Sequence, residues 1–306
     1  IKMHAAIDVV MRRNHIHHCT MGIWCDWEAQ GTRLTQNLLH DNCPPEGTPK
    51  AEGAMMSQDI FIEVGHGPTL IDNNIIWNVE GRFDPKKIPV EPGSTGWYKM
   101  EEHDVVNGYG IYGEGTDHLR IVNNLIGNCR SAGYFAKPVS FRAEGMNRGG
   151  TSVDAELINN IFYHCEEAAI KMPTKANKAE GNCYVKEEGG YLRILYPQPP
   201  VCLHLPAWQE FYGFDLQGQE AWFDVDVDTE KLTFTCKKAA KKPFAFPGEL
   251  EKRNFVFEPE KTRSVDASAL IQADFYGIEI ENGRCLPGPF AELDPNRIYD
   301  IDPRKK

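Results

Sequence analysis

Apolar and polar positions alternate through the first 187 residues in short runs, each closing on an asparagine followed by two mostly apolar residues. Six such segments stand out: VVMRRNHIHHC, TRLTQNLLHDN, PTLIDNNIIWN, LRIVNNLIGNC, AELINNIFYHC and, less regular, NKAEGNCYVK. Their anchors are Asn14, Asn37, Asn74, Asn124, Asn160 and Asn182, separated by 23, 37, 50, 36 and 22 residues. These spacings describe a coil of about 22–23 residues carrying insertions of roughly 14, 27 and 13. Strands that short and that closely spaced do not fit propeller blades, and leucine-rich and helical-repeat signatures are absent. The pattern predicts an all-β chain whose residues 1–187 form a right-handed parallel β-helix. In such a helix the anchor asparagines turn inward at matched corners, and each side-chain amide bonds the coils above and below.

The insertions predict where a groove would lie. Residues 43–57, 79–108 and 133–150 are rich in Pro, Gly and charge, and long loops of a solenoid tend to gather on one face. Beyond residue 187 the asparagine anchor disappears. YLRILY, AWFDVDVD and KLTFTC, separated by Pro- and Gly-containing turns, predict antiparallel strands over 188–306, either a flanking β-sandwich or an extended tail. DVDVD and the terminal PRKK read as solvated faces. His204 and Trp208, read as exposed groups without a spacing signal, are assigned no chemistry.

Candidate chemistry centres on two acids. Asp26 and Glu63 each lie 11 residues before an anchor, Asn37 and Asn74, and so hold the same place in successive coils. Strand alternation puts Ile23, Cys25 and Trp27 on one side with Ile60, Ile62 and Val64, facing the core. Trp24, Asp26 and Glu28 then face outward with Phe61 and Glu63. Adjacent parallel strands lie about 4.8 Å apart, which predicts carboxyl groups separated by about 5 Å. A gap of about 5–5.5 Å suits a retaining glycosidase, whereas an inverting enzyme needs a wider one. Two like charges that close divide their protonation, one ionised and one holding a proton, so the pair supplies both a nucleophile and an acid. Spacing and alternation leave open which residue takes which role. Trp24 and Phe61 could pack on a sugar ring, and Glu28, Gln30, Arg33 and His66 could bind hydroxyls. A stacked Asp and Glu can equally be exposed solenoid positions, and each of the four polar residues can equally serve a turn.

Composition narrows the partners. The net charge of −11 opposes binding to nucleic acid or anionic membranes and makes a neutral substrate the better expectation. Nine cysteines without a CxxC pair predict reduced, mostly buried thiols and a reducing compartment, read as cytoplasmic. No run approaches the roughly 18 apolar residues of a membrane span. No metal and no cofactor is implied.

The segments IWCDWEAQGTR and DIFIEVGHGPTLIDNNI, with the more distant KPVSFRAEGMNRGG, resemble the catalytic coils of the β-xylosidases of glycoside hydrolase family 120. The similarity extends more weakly over residues 5–185, with PGPF at 287–290 as an echo. The resemblance implies a right-handed β-helix with a flanking β-sandwich and a retaining mechanism. It also implies that Asp26 is the nucleophile and Glu63 the acid/base, acting on terminal β-xylosyl units of xylo-oligosaccharides or on another pentoside. Here the insertion at 43–57 separates the two motifs more widely than in the family, and Gly65 and Thr69 depart from its pattern. The family's N-terminal half has no counterpart in these residues, which implies a further segment, a second chain or a homo-oligomer. Two other readings share the fold: a polysaccharide lyase, with Arg33 a candidate base beside a calcium-binding acidic cluster, and a non-catalytic carbohydrate-binding solenoid.

Overall fold

The computed structural model describes residues 1–44, 57–80, 107–137, 152–195, 201–238, 253–254, 273–280 and 284–305. The expected groove-wall insertions fall largely outside this set.

Each anchor asparagine sits at a corner because the residue before it adopts a left-handed conformation. Arg13, Gln36, Asn73, Asn123 and Asn159 have φ between 53° and 60°, and Gly181 has 67°. Asn and Gly tolerate this region best, and they supply most of these positions. The corner turns the chain from one parallel sheet to the next. Three parallel sheets of seven, six and seven strands result, each built from one strand per coil.

The asparagine ladder is continuous. The Nδ2 of Asn14 donates to Asn37 Oδ1 at 2.9 Å, Asn37 to Asn74 at 2.9 Å, and Asn74 to Asn124 at 3.0 Å. Asn124 donates to Asn160 at 2.9 Å and Asn160 to Asn182 at 3.0 Å. Each Oδ1 also accepts the backbone N–H of the preceding anchor. From Asn37 onward, Nδ2 also donates to a backbone carbonyl of the preceding coil, as Asn74 does to Leu34. Both amide hydrogens and the carbonyl are therefore used, which is what permits full burial of these polar groups. The ladder ends on Asp215, whose Oδ1 accepts from Asn182 Nδ2 at 2.9 Å.

Inside, side chains stack in register down the first sheet, with Ile23 beside Ile60, Ile60 beside Ile111, and Tyr134 and Ile170 following. All are fully buried in one core. The parallel pairing continues past residue 187. Leu192–Ile194 extends the first sheet, and Gln219–Ala221 pairs in parallel with Cys183–Val185 on the third. Between them the helix Leu205–Tyr212 covers the end of the core with Trp208. Trp208, expected as an exposed group, is instead fully buried there, because an open solenoid end needs an apolar plug.

Phe223–Asp228 pairs antiparallel with Thr233–Lys238, which Tyr299–Asp300 joins, and a short antiparallel pair joins Arg253–Asn254 to Arg284–Cys285. Asp224 and Asp226 face solvent while Val225 and Val227 are buried, as the alternation of DVDVD implies. Phe223, Phe234, Phe275 and Phe290 pack on Leu38, Ile75, Leu125 and Ile161 from the outer face of the third sheet. The corner residues anchor this C-terminal region. Gln36 donates to the Asp274 carbonyl, Asn73 to Ala273 and Asn159 to Leu286. The flanking β-structure is thus bound to the corner beside the ladder and to the third sheet.

Cys19, Cys25, Cys129, Cys165 and Cys236 are thiols outside any disulfide. Among the described residues, no helix is long and apolar enough to cross a membrane. No group of three or more His, Cys, Asp or Glu able to hold a metal occurs among them either.

Candidate active site

Asp26 closes the strand Met21–Asp26 and Glu63 closes Ser57–Glu63, and the two are direct partners across the parallel pair. The next coil adds an acid: Glu114, at the end of Asn107–Glu114, pairs with Glu63, and Lys137 pairs with Glu114. On the other side His4 pairs with Asp26. One transverse row therefore reads His4, Asp26, Glu63, Glu114, Lys137. A second row, two residues earlier in each strand, reads Lys2, Trp24, Phe61, Tyr112, Phe135, Lys171. Both rows lie on the outer face because alternation gives the inner face to Ile23, Cys25, Ile60 and Ile62.

The outer face is buried. Asp26 is 6% exposed and Glu63 is 0% exposed. Trp24 stacks on Phe61 at 5.6 Å between centroids, Phe61 on Tyr112 at 4.7 Å, and Tyr112 on Phe135 at 5.3 Å. Phe61, expected as a sugar platform, is enclosed in this stack and is 2% exposed. Trp24 is the half-buried member at the end of the stack, and Lys2 Nζ lies 3.6 Å from its ring centroid.

The charges are arranged by partner. Lys2 Nζ lies 2.8 Å and His4 Nδ1 3.1 Å from Asp26 Oδ2. Trp24 Nε1 donates to Glu63 Oε2 at 2.9 Å. Tyr112 Oη donates to Glu114 Oε2 at 2.7 Å, and Lys137 Nζ reaches the same oxygen at 3.1 Å. Burial alone would raise Asp26, but hydrogen bonds from Lys2, Glu63 and His4, with the Lys2 charge, carry it below the ordinary carboxylate value.

The remaining sequence-predicted residues are placed as follows. Glu28 does not follow the strand alternation, because Trp27 and Glu28 both have positive φ, 44° and 55°, and form the turn after Asp26. Gln30 lies on the same turn and bridges to Ile7. Arg33 lies on the second sheet, where its guanidinium holds Asp72 through two bonds of 2.9 and 3.0 Å, with Thr35 adding a third at 2.8 Å. Arg33 is thus part of an ion pair on the second sheet. His66 is half-buried in the turn that follows Glu63. Asp26, Glu63, Trp24 and Phe61 are thus brought together.

Glu114 escaped the anchor count by one residue. Five residues separate Glu63 from Thr69, but four separate Glu114 from Leu119, so Glu114 lies 10 rather than 11 before Asn124 while remaining in register. The signal available was the motif YGIYGEGT, in which a strand closes on an acid just as IWCD and IFIE do.

The fold and this row define a parallel β-helix with carboxylates in register on the outer face of one sheet. Among solved structures, the complex structure of XylC with xylose is similar to this chain, with a TM-score of 0.57 and 17% sequence identity. The match covers 98% of this chain and 44% of the XylC chain, so this chain spans less than half of that protein's length. The likeness is one of fold. No family model matches the chain, and no curated protein sequence matches it.

Proposed function

We propose that the protein is a retaining glycoside hydrolase that releases terminal β-xylosyl units from xylo-oligosaccharides. The observation that carries this reading is the in-register pair of Asp26 and Glu63, one held ionised by Lys2 and His4, the other beside the indole N–H of Trp24. The fold shared with a xylose-bound protein supports the choice of sugar.

In the proposed reaction Glu63 protonates the leaving oxygen while the Asp26 carboxylate attacks the anomeric carbon, breaking the glycosidic bond and forming a xylosyl-enzyme ester. Glu63, now ionised, takes a proton from water, which attacks the anomeric carbon, breaks its bond to the Asp26 oxygen and frees the carboxylate. The scissile bond has to lie between the two groups. The Lys2 and His4 contacts to Asp26 hold the nucleophile ionised.

The test uses an aryl β-xyloside with azide. Asp26→Gly loses turnover, and azide restores it with α-xylosyl azide as product. Glu63→Ala with azide gives β-xylosyl azide. Unchanged turnover in Asp26→Ala overturns the assignment.

A further inference from the structure

We propose that His15, His17, His18 and His40 form an acid-sensitive clasp that fastens the coil of residues 2–18 to the next coil, on the outer face of the third sheet. Ile16 and Leu39 turn into the inner core, so His15, His17, Leu38 and His40 face outward, with His15 beside Leu38 and His17 beside His40. The imidazoles are packed ring on ring. His17 lies parallel to His40 at 5.1 Å between centroids, and His15 lies 4.5 Å from His17 and 4.9 Å from His40. Two ring-nitrogen contacts join them: His15 Nε2 with His40 Nε2, and His17 Nδ1 with His18 Nδ1, each at 2.7 Å. A contact of that length needs one N–H and one bare nitrogen. Asp41 fixes the polarity of the first. Burial alone would raise its carboxyl, but bonds from His40 and Asn78 carry it below the ordinary carboxylate value. The ionised carboxylate accepts from His40 Nδ1 at 2.6 Å, which leaves His40 Nε2 bare and makes His15 Nε2 the donor.

Acid undoes this arrangement. If both rings of either pair were imidazolium, two N–H groups would be aimed at each other across 2.7 Å. Neither pair can therefore be doubly charged while the clasp is closed. The other titratable groups facing the cluster, among the described residues, come from the corners and the C-terminal segment. They are Asp41, Cys19, whose thiol donates to the His17 carbonyl, and Asp302 with its bound Arg304 and Lys305. Burial, then His40, His17 and Arg304, outweigh Asp302 and hold His15 down at about 4. Burial, His40 and His18 likewise lower His17 against the pull of Asp41. Opened rings titrate near the usual 6.5, so protons favour opening as pH falls from 6.5 toward 4. At pH 5 His15 alone would favour the open form by up to about 30-fold, and its partial exposure lowers this to about tenfold. The same coil brings Lys2 and His4 to Asp26, so the clasp also holds the cations of the candidate site.

Hydrogen exchange read by mass spectrometry tests the clasp on the substrate-free chain. It uses no measure of turnover, so its outcome is independent of the glycosidase reading. With rates corrected for the chemical effect of pH, protection of peptides covering 14–18 and 38–42 is expected to fall about tenfold between pH 7.5 and pH 5. Protection of 119–126, farther along the solenoid, is expected to stay level. In the double variant His15→Gln, His17→Phe, the amide can still donate to His40 and the phenyl ring can still stack on it, but neither titrates. There the fall should shrink to less than about twofold. Unchanged protection in the native chain, an equal fall in 119–126, or an undiminished fall in the double variant overturns the proposal. Should the variant fail to fold, ring-nitrogen NMR of the native chain decides. At pH 7.5 the expected pattern is His40 protonated on Nδ1 and His15 on Nε2, and His40 protonated on Nε2 refutes the clasp.

Discussion

Replacing Asn74 with alanine tests whether the ladder carries the fold. In the native chain Asn74 Oδ1 accepts from the backbone N–H of Asn37 at 3.0 Å and from Asn37 Nδ2 at 2.9 Å. Its own Nδ2 donates to Leu34 O at 2.9 Å and Asn124 Oδ1 at 3.0 Å. Alanine removes all four bonds, and on Asn37 alone it strands a buried backbone N–H and one amide hydrogen. Asn37 Nδ2 keeps its bond to Met11 O, and Asn124 Oδ1 keeps the backbone N–H of residue 74, so those groups are spared. At about 1–3 kcal/mol for each unsatisfied buried donor, the loss is about 3–5 kcal/mol once the small void is added. That is a large share of the roughly 5–15 kcal/mol of an ordinary domain. Asn14→Ala provides the internal comparison. It removes one part-buried bond to Asn37 and strands nothing there, because the backbone N–H of residue 14 still reaches Asn37 Oδ1. Its cost should be about 0.5–1.5 kcal/mol. Urea unfolding followed by circular dichroism, with midpoints compared at a common slope, measures both. Equal losses in the two variants would refute the view that orphaned donors, and not the asparagine contacts as such, set the cost.

Three further outcomes are expected. Burial raises the Asp215 carboxyl to about 6 despite its bonds from Tyr184 and Asn182, so its stabilising contribution is complete below about pH 4 and is lost as pH rises through about 6. The loss is about 3 kcal/mol, and Asp215→Asn should flatten that part of the stability–pH curve measured by thermal unfolding. Lys2→Met should raise Asp26 and move the acid limb of kcat/KM for an aryl β-xyloside upward by a few tenths to about one pH unit, the range left by a half-exposed lysine; an unmoved limb contradicts the assigned partner. Arg33→Met leaves Asp72 buried without its guanidinium and should cost about 3–5 kcal/mol in urea unfolding, whereas the double variant Arg33→Met, Asp72→Leu should recover most of it.

The parallel helix was readable because its rule is local and repeated. The left-handed corner selects Asn or Gly, the next residue must supply two donors and an acceptor, and alternation assigns the inner face; each requirement leaves a mark at fixed spacing. Asp26 and Glu63 were found by that spacing. Glu114 was missed because a turn shortened by one residue changes the count without changing the register. The ladder's end was missed because Asp215 shares only the acceptor of an asparagine. The burial of Phe61 and the Arg33–Asp72 pair depend on side chains from neighbouring coils, and one strand read alone says nothing about them. Trp208 was opaque for the same reason: one aromatic has no period, and its plugging role exists only once the coils are stacked.

The ladder also has a direction. Every anchor from Asn14 to Asn182 passes a hydrogen forward to the next coil, so the amide dipoles add with their positive ends toward Asp215. An asparagine at that place could pass a hydrogen on to another coil. An ionised aspartate can only receive. Asp215 is therefore a full stop in the repeat: it ends the relay of donors where the chain leaves the solenoid for the antiparallel sheet, and the length of the helix in this direction is written in a single change from amide to carboxylate.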